Sequence, residues 1–356
     1  MAARDKAPRA PGRNPTLVDV ADRAGVSHTT VSLALRGSPR ISAKRTQQIQ
    51  RIAQQLGYQP RAAAQMLRSS RTGWIGLLLE GVNPHLIAES GFSAPILTRF
   101  LACTQQRSQR QMVEFFHCPA DGPFQPPQCL GGGFVDGVIV GGFVDGRLRE
   151  WLARQRIYPW VSIGEPGPHS VQEDPGAGVT EAMDMLVGLG HRRIAICVGP
   201  SCYATHKLKL DAFRVALRKH RLSLPHASFA ASFDERPAAE LALEQAGWAR
   251  GLLQRADRPT AFLCQGHVGR DVVLMASQLG LEVPRDLSIV SFVRGIEAMR
   301  NVPALASVES DDASIVESAL DRLAALLRGE EVATGVTWFP PVLTRRDSVA
   351  GAPTEG

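Results

Sequence analysis

Residues suited to chemistry gather between Ser27 and Leu33, in the run SHTTVSL. Its polar groups are hydroxyls and one imidazole, with no carboxylate among them. Such groups hydrogen-bond. His28 and Thr29 fall on the first exposed positions of a short helix, with Thr30 and Ser32 one turn further in. Imidazole and hydroxyl groups can pair with base edges, and a threonine methyl can meet a thymine methyl. Catalytic signatures are missing elsewhere: HExxH, GxSxG, GxxxxGK[ST] and GxGxxG do not occur, so an enzyme has no support and no cofactor or metal is expected.

Reading bases requires a rigid platform, and the flanking sequence predicts one. TLVDVADRA (from Thr16) and SHTTVSLAL (from Ser27) predict two helices, with Thr16 and Ser27 as N-caps. Gly25 sits between them, where the turn needs a residue tolerant of positive φ. Val20, Ala21 and Ala24 can pack on Val26, Val31 and Leu35. That is a helix-turn-helix, whose second helix enters the major groove. A third helix follows, capped by Ser42, carrying Ile49, Ile52, Ala53 and Leu56 at helical spacing, and ending at Gly57. In the next segment Pro60 turns the chain, and AAAQML, flanked by Arg61, Arg68 and Arg71, is too short to be a stable helix unless something docks on it.

Charge agrees with this layout. Residues 1–71 hold thirteen Lys and Arg against three Asp and Glu, a net +10, while the whole chain carries only +6. The remaining residues are therefore net acidic, at −4. A basic excess confined to the N-terminal fifth is the footprint of a phosphate-binding module. Arg40, Lys44 and Arg45 are expected to follow the backbone of the duplex, which sets affinity but not sequence.

Residues Thr16 to about Leu79 closely resemble the start of LacI/GalR-type (lactose-repressor/galactose-repressor) transcription regulators. The likeness resumes at VDGVIV (Val135–Val140), GHRRIA (Gly190–Ala195), FRVAL (Phe213–Leu217), PTAFLC (Pro259–Cys264) and GLEVPRDLSIVSF (Gly280–Phe292). It implies a homodimer on double-stranded, near-palindromic operator DNA, and a small-molecule sensor core of the periplasmic-binding-protein fold. It places Thr16, Ser27, His28, Thr29, Thr30 and Ser32 at bases and phosphates. Leu33 stands where relatives often carry a long polar residue; it either faces the groove or packs on Leu35 and the third helix. Arg36 replaces a usual Asn and is expected on phosphate. In the hinge, Leu67 matches the leucine that wedges into a minor-groove step, Ala63 and Ala64 let two hinge helices approach, and Arg61 replaces the usual Asn after the proline.

The core sequence reads as α/β. WIGLLL, VDGVIVG, WVSIG, RIAICVG, TAFLCQG and LSIVSF are short apolar runs of the kind buried in parallel sheets. Helical patterns such as RFLACTQQRSQ, TEAMDMLVGLG, LDAFRVALRKH and SIVESALDRLAALLRG alternate with them. The expected fold is thus an all-α headpiece plus doubly wound parallel sheets in two lobes. A basic disordered tail is expected over 1–15, the helix-turn-helix over 16–59, the hinge over 60–72, the core over 73–345 and a disordered tail over 346–356. Lobe 1 would take about 73–173 and 306–338, and lobe 2 about 174–305. No segment is long and apolar enough to span a membrane, the N-terminus lacks a signal-peptide core, and six scattered cysteines suit a reducing cytoplasm.

In the cleft the chain departs from its relatives. Gly266-His267 stands where Asn-Asp is usual, Val293-Arg294 where Asp-Asp is usual, Lys209 where an arginine is usual, Gly164 where an Asp is usual, and His85-Leu86 replaces an aromatic pair. Lys209, His267 and Arg294 would make a cationic cleft for a phosphorylated or carboxylated effector, unless they pair with local acids. His85, Asp174 and Phe233 complete the residues expected around the ligand. The alternative is a ligand-independent DNA-binding protein whose core serves only dimerisation.

Overall fold

The computed structural model describes residues 15–35, 37–58, 71–80, 92–118, 122–142, 144–155, 158–224, 229–234 and 238–354. The tail over 1–14, most of the hinge, and Arg36, Arg61, Ala63, Ala64, Leu67 and His85 lie outside them. The chain divides into two units, Met1–Thr72 and Gly73–Gly356.

Among the described residues the first unit holds three helices: α1 (Leu17–Ala24), α2 (His28–Leu35) and α3 (Ala43–Gln55). Thr16 and Asp19 form a reciprocal capping box at the start of α1. Gly25 stops the helix in the left-handed region, at φ 64°, and its N–H returns to the carbonyls of Ala21 and Asp22. Val20, Val31, Ala34 and Ile49 are wholly buried where the three helices meet. In so small a core each buried valine or isoleucine contributes about 1.5–3 kcal/mol.

The second unit runs β1 (Trp74–Glu80), α4 (Ser93–Gln106), β2 (Arg110–Phe116), α5 (Gln128–Gly131), β3 (Gly137–Gly141), α6 (Gly146–Gln155), β4 (Trp160–Ile163) and β5 (His169–Glu173). It continues α7 (Pro175–Gly188), β6 (Ile194–Pro200), α8 (Ala204–Lys219), β7 (Ala230–Phe233), α9 (Ala238–Leu253), β8 (Ala261–Gln265), α10 (Val268–Gln278), β9 (Ser288–Phe292), α11 (Gly295–Met299) and β10 (Ala306–Glu309). Last come α12 (Asp312–Arg328), β11 (Gly335–Phe339) and β12 (Val342–Thr344).

Two sheets result, in the orders β11-β5-β4-β3-β1-β2 and β12-β10-β9-β8-β6-β7. All pairs are parallel except β10 with β12. Helices cover both faces, so β3 is buried at every residue and reads as an unbroken apolar run. The six apolar runs predicted as strands are β1, β3, β4, β6, β8 and β9. Missing from that reading are the edge strands β2, β7, β11 and β12, and the short β5 and β10, whose polar residues hide the pattern.

The expected lobe boundary needs correction. β10 pairs with β9, so residues 306–309 belong to lobe 2, and only α12 and β11 return to lobe 1. The chain thus crosses between lobes near residues 174, 310 and 340. The C-terminal segment is also ordered through Thr354, against the expectation for 346–356. Ser348 and Val349 are buried, and Ser348 Oγ donates to the Ile289 carbonyl at 2.6 Å. The Ala350 carbonyl lies 3.1 Å from Nε2 of the fully buried His191. Small residues let this segment lie flat on lobe 2, and it satisfies buried polar groups that would otherwise be costly. Among the described residues no helix is long and apolar enough to cross a membrane.

Candidate functional site

The helix-turn-helix presents one polar face. Ser27 Oγ accepts from the Thr30 N–H at 3.1 Å and caps α2. His28 and Thr29 are exposed at the first turn, where a recognition helix meets bases. Thr30 is half-buried and its hydroxyl lies 2.9 Å from that of Ser27. Ser32 corrects the expectation: it is 9% exposed, on the inward side beside Val31. Helical spacing explains this, because residue 32 lies one turn from 28 but leans toward the α1 contact made by 31 and 34. Leu33 is half-exposed and stands outside the headpiece core, which takes Leu35 instead. Arg40 and Lys44 are exposed. Arg45 is tied down, donating to the Ala24 carbonyl at 3.3 Å and to Gln48 at 2.8 Å. It braces α3 against the end of α1.

A cavity of 340 Å³ lies between the lobes of the core, at the carboxyl ends of β4, β5, β8 and β9. Ligands bind at this end of parallel sheets. Phe92, Tyr203 and Phe292 give it aromatic walls. Gly164 makes room for one of them. Its φ is +90°, and a Cβ there would come within 2.6 Å of the Phe92 ring. The ring thus closes over the position where relatives were expected to carry a carboxylate.

Two of the expected effector residues border this cavity. Lys209 is buried, donates from Nζ to Gln265 Oε1 at 2.8 Å, and stands 4.3 Å from the centre of the Phe292 ring. Burial pulls its pKa down, and the charge of Glu173 partly restores it. Arg294 Nε donates to Asp312 Oδ2 at 2.6 Å.

The other described ones do not line it. His267 is exposed beyond the Gly266 turn, with Asp271 at 4.0 Å, because α10 starts there and carries the ring outward. Asp174 caps α7, accepting from Gly176 and Ala177 at 2.9 and 3.0 Å. Phe233 ends the edge strand β7 and packs on the far side of lobe 2, near Phe262 and Cys197.

The cleft is not cationic. Among the described lining residues, the carboxylates Glu165, Glu173, Glu297 and Asp312 face two cations, Lys209 and Arg294. Both cations already have partners. His206 adds no charge near neutral pH. Burial, with the nearby Lys209 charge, holds its pKa down to about 4, although its Nδ1 lies 2.9 Å from the Pro200 carbonyl. Glu165 is 5% exposed, and burial pushes its carboxyl up despite the N–H of Ala204 and the charges of Arg149 and Lys207. The sequence did not single out Phe92, Tyr203, His206 or Asp312. For Gln265 and Phe292 the usable signal was their place at the ends of predicted strands.

Residues 16–61 match bacterial regulatory proteins of the lacI family, and residues 183–349 match the periplasmic binding protein-like domain. The ribose operon repressor of Haemophilus influenzae is 26% identical over 345 residues, covering 94% of this chain and 98% of that protein. The transcriptional regulator CelR of Thermobifida fusca is 28% identical over 314 residues, covering 83% and 87%. Among solved structures, the lac repressor dimer bound to operator and the anti-inducer ONPF shares the fold at a TM-score of 0.80, with 22% identity over 95% of this chain and all of that one. The chain thus joins a helix-turn-helix domain of the lacI family of bacterial regulatory proteins to a periplasmic binding protein-like domain.

Proposed function

We propose that this protein represses transcription in the cytoplasm as a homodimer, on a near-palindromic operator, under control of a small molecule held between its lobes, and catalyses no reaction. The observation that carries this reading is the pairing of two sites on one chain: a capped helix with exposed His28 and Thr29, and a cavity between the two lobes of the core. His28, Thr29 and Leu33 read bases, and Arg36, Arg61, Ala64 and Leu67 serve phosphate and minor-groove contacts. Residues 16–59 form the reading domain and 60–72 the hinge. Relatives named for operator, dimer and sugar operons support the assignment.

The lining favours a neutral or amine-bearing effector with an apolar face. Phe92, Tyr203 and Phe292 offer stacking surfaces, and Glu165 and Glu173 accept hydrogen bonds. Effector binding changes the preferred lobe arrangement only by its differential affinity for the two states. A thermal-shift screen of the full chain with neutral polyols, amines and anions tests this. A neutral or cationic compound should raise the melting temperature by mass action and change operator affinity. Stabilisation by no compound, with operator binding intact, would favour a core that only dimerises.

A further inference from the structure

Apart from Glu297, which comes from lobe 2, the carboxylates that line the cavity come from lobe 1, and its two cations come from lobe 2. Glu165 follows β4, Glu173 ends β5 and Asp312 opens α12, all in lobe 1. The groups they face belong to lobe 2. Arg294 Nε meets Asp312 Oδ2 at 2.6 Å, with side chains only 21% and 12% exposed. The Ala204 N–H, at the first turn of α8, donates to Glu165 Oε1 at 2.8 Å. Lys209 has Glu173 as its counter-charge. A helix N-terminus, a guanidinium and an ammonium are the groups an anionic ligand would use.

We propose that the lobe 1 carboxylates, Asp312 foremost, act as a resident anion: they occupy the cationic groups of lobe 2, hold the lobes together without a ligand, and exclude anionic effectors. Asp312 is then the residue that determines charge specificity. An incoming phosphate or carboxylate must displace it from Arg294 inside a site of low dielectric, and leave it unpaired. The inference rests on the cleft being the effector site, as proposed above.

The test uses the full-length protein and inorganic phosphate as probe. Calorimetry should show no phosphate binding by the parent. Asp312→Asn keeps the side-chain shape and frees Arg294, so phosphate affinity should rise at least tenfold, and adding Arg294→Ala should abolish the gain. The exchange Arg294→Asp with Asp312→Arg restores a pair and should restore the parent's indifference to phosphate. Amide exchange reports on lobe contact: the Ala204 N–H should be protected in the unliganded parent and exchange faster in Glu165→Ala. Phosphate binding by the parent as tight as by Asp312→Asn, no gain in Asp312→Asn, or an Ala204 amide unprotected in the parent would overturn the proposal. Operator affinity, read on the same preparations, reports separately on the regulator assignment: loss of specific DNA binding by the parent counts against that assignment alone.

Discussion

On α2, His28 and Thr29 stand exposed at the first turn, backed by a dry core of Val20, Val31 and Ile49. Around the cleft, Arg294, Lys209 and the Ala204 N–H are each bonded to a group of the same chain. The contrast follows from what each surface excludes. A duplex arrives with its own charges and water, so donors that meet it can wait in solvent. A cavity that closes removes water, and any charge left without a partner there is costly. Polar residues in the headpiece therefore face outward to a partner, while those in the cleft are first satisfied within the chain, Arg294 and the Ala204 N–H by the opposite wall and Lys209 by Gln265 of its own lobe.

Salt should separate the two regions most. Binding of a selected operator should weaken about 10³-fold or more between 50 and 200 mM salt, because phosphate contacts release counterions. The melting temperature of the core should move little over the same range, since its exposed ion pairs contribute little and the partly buried Arg294–Asp312 and Arg346–Glu309 pairs are poorly screened. A flat binding response in fluorescence anisotropy would break the comparison on the headpiece side.

His28→Ala combined with Thr29→Ala should cost on the order of 100-fold in operator affinity, at about 1–3 kcal/mol per good base contact. Non-specific affinity should change only a few-fold, and circular dichroism should show an intact headpiece, because neither side chain is buried. Equal losses on operator and random DNA would place these residues on phosphate instead.

Two cleft groups should titrate in opposite senses. The His206 pKa is pulled down to about 4, so the unfolded chain takes up the proton first. Core stability should therefore fall as pH drops from about 6.5 towards 4, by on the order of 2–3 kcal/mol from this residue. The Glu165 carboxyl is raised by burial, so the folded chain binds its proton before the unfolded one and offsets part of the loss. Chemical denaturation across pH should show a steeper acid loss in Glu165→Gln and a shallower one in His206→Asn. Identical slopes in both variants and the parent would mean neither group is coupled to folding.

The smallest effect is one of preference. Leu33→Arg should leave overall affinity similar and shift selected half-sites toward a guanine, by about 1–3 kcal/mol of discrimination. An unchanged consensus, or a headpiece that fails to fold, would return Leu33 to the interior.

The headpiece was legible because its signals are local: Thr16 with Asp19, Ser27 with Thr30 and Gly25 with Ala21 all lie within four residues. Ser32 was misplaced because a serine between buried Val31 and half-exposed Leu33 gives no sign of the face on which it falls. The cleft depends on distant partners. Arg294 finds Asp312 only because the chain crosses from β10 of lobe 2 to α12 of lobe 1. Read singly, Lys209 and Arg294 look like an anion site; Lys209 finds Gln265 within its own lobe, and the partner of Arg294 appears only when the two walls are brought together.

Selection of the full-length protein against randomised duplexes tests the central claim most directly. The account predicts enrichment of a two-fold symmetric sequence, bound far more tightly than random DNA, with the enrichment lost in the His28→Ala, Thr29→Ala variant. No enriched sequence, or one that the variant binds equally well, would contradict it.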